Sequence, residues 1–107
     1  MFLEVKDSLP ISGNGYDGQI IREIRAAVLD LTSSTEIRLP GAVDITRDEA
    51  TGVITDNSTI RDDLVIATIS TWCNMRIGNP PNYENLRKAY ESLKGQMRLS
   101  RNYGGQG

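Results

Sequence analysis

With no histidine and a single cysteine, Cys73, the options for enzyme chemistry in these 107 residues narrow sharply. Histidine is the commonest general base and metal ligand, and one cysteine makes neither an internal disulfide nor a zinc site. Asp62-Asp63 is the nearest thing to a paired-carboxylate or half-metal arrangement, but two acids there suit the first turn of a helix, where the macrodipole favours negative charge. Asp44, Asp48, Glu49 and Asp56 lack the spacing and the closing bidentate glutamate of a calcium loop, and read as solvated hairpin acids. Gly13-Asn14-Gly15-Tyr16-Asp17-Gly18 meets the bare dinucleotide-loop pattern without a long preceding strand, so it reads as a turn and a helix cap. Trp72 and Cys73 lie on a largely apolar segment and read as core, the thiol inert for want of a neighbouring base. Asn57-Ser58-Thr59 matches a glycosylation sequon but comes without a secretory start, and is read as a cap. The chain therefore reads as a non-enzyme with no cofactor and no metal.

Contact chemistry is the alternative use of such residues. Tyr83 and Tyr90 follow an apolar stripe, whereas Tyr103 sits among glycines, either as an unselective tail residue or as an anchor for a partner. Lys94, Arg98 and Arg101 cluster near a helix end, where cations suit the dipole.

The elements that must position these residues are legible in the apolar spacing. Leu3 to Leu9 forms a short helix stopped by Pro10, and residues 11–15 are turn chemistry. Asp17 offers a cap to a helix starting near Gly18, and Ile20, Ile21, Ile24, Ala27, Val28 and Leu31 give it one apolar face to about Thr32. Val43-Asp44-Ile45-Thr46 and Gly52-Val53-Ile54-Thr55 alternate about a polar loop and read as a β-hairpin, inserted at about residues 36–56. A helix from about Ile60 to Ile77, with residues 57–59 as candidate caps, is apolar around much of its circumference and should be central; Gly78 ends it. After Pro80-Pro81, Tyr83, Leu86, Tyr90, Leu93 and Met97 mark a last helix to about Ser100, antiparallel to the one before it. The expected fold is mainly α: a small bundle of one short N-terminal and three longer helices with a hairpin insertion over residues 1–101, then a flexible tail over 102–107.

Bulk properties narrow the function classes. A formal charge of −2 and a pI near 5.0 lack the basic footprint of a phosphate-neutralising protein. A small helical nucleic-acid-binding or regulatory module is thus the weaker alternative. No apolar run reaches the ~20 residues of a membrane span, and the first residues lack a signal-peptide pattern, so expression in a reducing cytoplasm is expected.

Three stretches resemble a known family. They are Leu3-Glu4-Val5-Lys6-Asp7-Ser8-Leu9-Pro10-Ile11-Ser12-Gly13 with Asp17-Gly18-Gln19-Ile20; Thr55-Asp56-Asn57-Ser58-Thr59-Ile60 with Asp63-Leu64-Val65; and Gly78-Asn79-Pro80-Pro81-Asn82-Tyr83-Glu84-Asn85-Leu86 through Tyr90-Glu91-Ser92-Leu93-Lys94. In order and spacing they look like the head-to-tail connector (adaptor, or head-completion) proteins of tailed bacteriophages and prophages. That resemblance implies a helical subunit of a ring, usually of twelve copies, in the virion neck between head and tail, assembled in the bacterial cytoplasm. Its implied partners are the portal protein, neighbouring copies and the next neck or tail-completion protein, with DNA passing through the lumen unbound. It also implies portal docking by the end of the last helix and the tail, through Leu99, Arg101, Asn102 and Tyr103. Removing Asn102 to Gly107 should then spare the fold and abolish attachment to heads. The hairpin residues Val43, Ile45, Val53 and Ile54 are the candidates for contact with a neighbouring copy.

Overall fold

A computed structural model describes residues 1–33, 37–78, 80–100 and 103. Among them are four helices and one two-stranded sheet, in the order α1 (Phe2–Asp7), α2 (Asp17–Thr32), β1 (Ile45–Arg47), β2 (Ile54–Asp56), α3 (Asp63–Arg76) and α4 (Tyr83–Leu99). The mainly helical bundle with a hairpin is the architecture that the apolar spacing requires.

Helix α3 is central and packs against α1, α2 and α4. Its Val65, Ile69 and Cys73 are fully buried with Ile20, Ile24, Ala27 and Leu31 of α2, Val5 of α1 and Met97 of α4. Thr68, also fully buried, satisfies its hydroxyl by donating to the Leu64 carbonyl at 2.7 Å. The burial of α4 deepens along its length. Tyr90 is buried, but Tyr83, in its first turn, is 40% exposed and does not share the buried stripe assigned to it. Four residues beyond the end of α4, Tyr103 bonds to Asp62 at the start of α3, so the two helices run antiparallel.

Two of the predicted helix starts are corrected. Helix α3 begins at Asp63 rather than Ile60, because Asp62 is its cap: the carboxylate accepts from the Val65 N–H at 3.1 Å. Ile60 is buried, but in extended chain ahead of the helix. At α2 the cap position is Tyr16, without a side-chain bond, and Asp17 lies inside the first turn. The Asp17 carboxylate is buried and faces the Lys6 ammonium at 2.8 Å, while Lys6 also donates to Asn14 Oδ1 at 2.9 Å. One lysine thus ties α1 to both ends of the turn that leads into α2.

The hairpin pairs Ile45 with Asp56, Thr46 with Thr55 and Arg47 with Ile54, antiparallel. Its loop is closed by the Asp48 carboxylate, which accepts from the Ala50 and Thr51 amides, and by Gly52 at φ 74°, a conformation that costs glycine little. Below the strands the ribbon continues by a substitution. The Asn57 and Thr59 amides donate to the Asp44 and Ala42 carbonyls, but the return bonds from the Asp44 and Ala42 amides go to the hydroxyls of Ser58 and Thr59, each at 2.9 Å. These hydroxyls extend the ribbon and do not cap a helix. Gly41, at φ 144°, permits the close approach: a Cβ there would lie 2.9 Å from Thr59 Oγ1 and 3.1 Å from the Ile60 nitrogen.

Candidate functional site

The predicted docking residues of the C-terminal segment do not form one exposed surface. Leu99 projects from the last turn of α4 and is 81% exposed, whereas Arg101 and Asn102, with most of the expected tail, lie outside the described residues. Tyr103 is 5% exposed. Its hydroxyl donates to Asp62 Oδ1 at 2.7 Å, and its carbonyl accepts from the Arg38 N–H at 2.6 Å. Neither sequence reading of Tyr103, unattached or free to anchor a partner, describes it in this state, because it anchors the segment to its own domain. The hydrogen bond from Tyr103 holds the Asp62 carboxyl below the usual value, while burial and that same bond push the Tyr103 phenol up to about 12.

The candidate inter-subunit residues of the hairpin divide in a similar way. Ile45 is 2% exposed, and Val43 and Ile54 are half-buried against the protein's own core. Only Val53 of the four, at 60%, stands clear for a neighbour. The hairpin is fastened on both flanks. On one, Arg25 donates to the Ile45 carbonyl at 2.6 Å. On the other, Asp56 Oδ2 accepts from the Phe2 N–H at 2.7 Å and from the Met1 amino group at 3.0 Å, and Oδ1 accepts from the Ser58 N–H at 3.1 Å. Burial alone would raise the Asp56 pKa, but these bonds outweigh it and hold the carboxyl well below the carboxylate range.

Groups with catalytic potential are spent on internal joints. Tyr90 donates to Asp30 Oδ2, which also holds Lys94 Nζ at 3.1 Å, linking α4 to the end of α2. Burial opposes ionisation of Asp30, yet the Tyr90 bond and Lys94 keep it below its ordinary value. Trp72 donates its indole N–H to Glu23 at 3.1 Å, stacks obliquely on Tyr90 with centroids 5.2 Å apart, and carries the Arg76 guanidinium over its ring. Cys73 is fully buried, and burial, with Glu23 adding to it, pushes its thiol up to about 12, so no thiolate forms near neutrality. Residues 13–16 form bends and a turn between α1 and α2, with no strand before them. Among the described residues no group of three or more cysteine, aspartate or glutamate side chains is placed to hold a metal, and no helix is long and apolar enough to cross a membrane.

One grouping escaped the sequence reading. Arg22 and Arg25 on α2 meet Arg47 of β1 in a cleft of about 380 Å³. In sequence Arg22 and Arg25 fall between the apolar positions of α2 and Arg47 opens the polar loop of the hairpin, so only their packing joins them.

Against known proteins, no family model, no curated protein and no solved structure matches the chain.

Proposed function

We propose that this chain is a structural subunit of the head-to-tail connector of a tailed phage or prophage, stacking as a ring under the portal, extending the DNA channel and presenting the surface that accepts the tail. The observation that carries this reading is where the family-like stretches fall. The first builds the α1–α2 joint through Lys6 and Asp17. The second joins the hairpin to the N-terminus through Asp56 and extends the ribbon through Ser58 and Thr59. The third spans the α3–α4 connection and the Tyr90 and Lys94 contacts with Asp30. The stretches that carry the resemblance thus include residues that set the relative placement of the elements, which suits a subunit whose role is geometric.

Two further features agree with it. The shifted carboxyls are each held by partners within the fold, Asp30 by Tyr90 and Lys94 and Asp62 by Tyr103, while Asp56, which lines a cleft with Met1, is paired there with the N-terminus. The net charge of −2 suits a channel wall past which DNA slides. Docking to the portal falls to the end of α4, with Leu99 as its exposed apolar residue. Reconstitution tests the proposal: purified protein added to DNA-filled, tailless heads that lack it, together with free tails, is expected to restore joined particles. Heads left unjoined with every other neck component present would overturn it.

A further inference from the structure

The cleft of Arg22, Arg25 and Arg47 gathers three arginines on one surface. Several other cations have acidic or carbonyl partners: Lys6 with Asp17, Lys94 with Asp30, Arg76 with Glu23, Arg87 with Glu84, and Arg61 with the Ser58 carbonyl. In the cleft, Arg25 is engaged by the Ile45 carbonyl, but among the described residues the side chains of Arg22 and Arg47 have no hydrogen-bond or ion-pair partner. Three arginines and one glutamate, Glu49, line it, a local balance of +2 on a chain whose total is −2.

The wall facing these guanidinium groups is an unpaired strand edge. Antiparallel ladders alternate between pairs that exchange backbone bonds and pairs whose peptide groups point outward. The bonds from Asp48 N–H to the Val53 carbonyl and from Asn57 N–H to the Asp44 carbonyl fix the phase, so Thr46 faces β2 while Ile45 and Arg47 turn their N–H and C=O outward. The Ile45 carbonyl, taken by Arg25 of α2, confirms that this edge faces the helix. Two residues further along the same edge, the outward N–H and carbonyl of Arg47 have no partner among the described residues. Open backbone donors and acceptors are what an extended peptide uses to add a strand.

From these two observations together we infer that the cleft between α2 and β1 is a docking site for an acidic segment in extended conformation, which adds to the β1 edge at Arg47 while its carboxylates meet Arg22 and Arg47. A phosphodiester backbone would satisfy the guanidinium groups equally but offers no N–H to the outward carbonyl of Arg47, so the combination of edge and arginines favours peptide. Arginine forks bind carboxylates bidentately, which fixes register as well as charge. Such docking holds whether or not the chain sits in a neck.

The test uses the full chain, isotopically labelled, titrated with a short peptide of alternating valine and glutamate. The same peptide with glutamine, a short DNA duplex and inorganic phosphate serve as comparisons. The expected result is saturable binding of the glutamate peptide with the largest amide shifts at Ile45 and Arg47, weakened about tenfold or more by Arg22→Glu or Arg47→Glu. Arg25 is left intact because it holds the hairpin. Equal binding of the glutamine peptide, shifts confined to another surface, undiminished binding by folded Arg22→Glu and Arg47→Glu variants, or capture of the duplex but not the peptide would each overturn it.

Discussion

Asp62 closes two structures with one carboxylate, capping α3 through the Val65 N–H and receiving the Tyr103 hydroxyl. Replacing it by alanine should cost about 2 kcal/mol, roughly half from the lost cap and half from the lost tyrosine bond. Tyr103→Phe, which keeps the ring but drops the bond, should cost about 1 kcal/mol; urea denaturation separates the two. The pH profile follows from the same groups. Asp30, Asp56 and Asp62 have folded pKa values below the ordinary 3.8, so their contribution is present above that value and is lost as pH falls below it. Cys73, Tyr90 and Tyr103 have folded values above the ordinary 9.0 and 10.0, so their contribution is present below those values and is lost as pH rises through them. Stability measured from acid to alkaline solution should therefore show a plateau around neutrality with a fall on each side. Tyr103→Phe should make the alkaline fall shallower, and an unchanged alkaline limb would contradict the assignment.

At the scale of elements, the hairpin is the part that depends most on borrowed bonds. Gly41→Ala places a Cβ against Thr59 and the Ile60 backbone in a conformation that L residues rarely adopt, and should destabilise by about 2 kcal/mol. Asp56→Asn removes the charge that receives the Phe2 amide and the Met1 amino group. Amide exchange should then rise first at Asn57 and Thr59, while the amides of α3 stay protected; uniform acceleration would mean that the hairpin is not a separable unit. Helices α2 and α4 were legible because one face repeats every three to four residues, and the hairpin because alternation flanks a loop that ends in Gly52. The start of α3 was not, because Ile60 is apolar and buried in extended chain, and apolar content does not distinguish that from a first turn. The roles of Ser58 and Thr59 were hidden for a related reason. Hydroxyls next to a helix read as caps, and only the paired strand shows them completing a ribbon.

For the whole molecule, what sequence could not show is contact across the chain. The glycines around Tyr103 argue for a loose tail, yet the ring is held 41 residues away at Asp62. Removing residues 102–107 is therefore expected to lower stability as well as attachment, in contrast to the simple expectation from composition. Comparison with Tyr103→Phe distinguishes the two, since that variant loses the internal bond but keeps every other tail residue. If the tail acts in attachment only by docking, Tyr103→Phe should still bind heads and the truncation should not. The reading as a connector subunit is tested most directly by electron microscopy of tailless, DNA-filled heads incubated with the purified protein. The account predicts added density as a ring at one unique vertex of each head, and protein scattered over the capsid surface, or bound to free DNA and absent from heads, would contradict it.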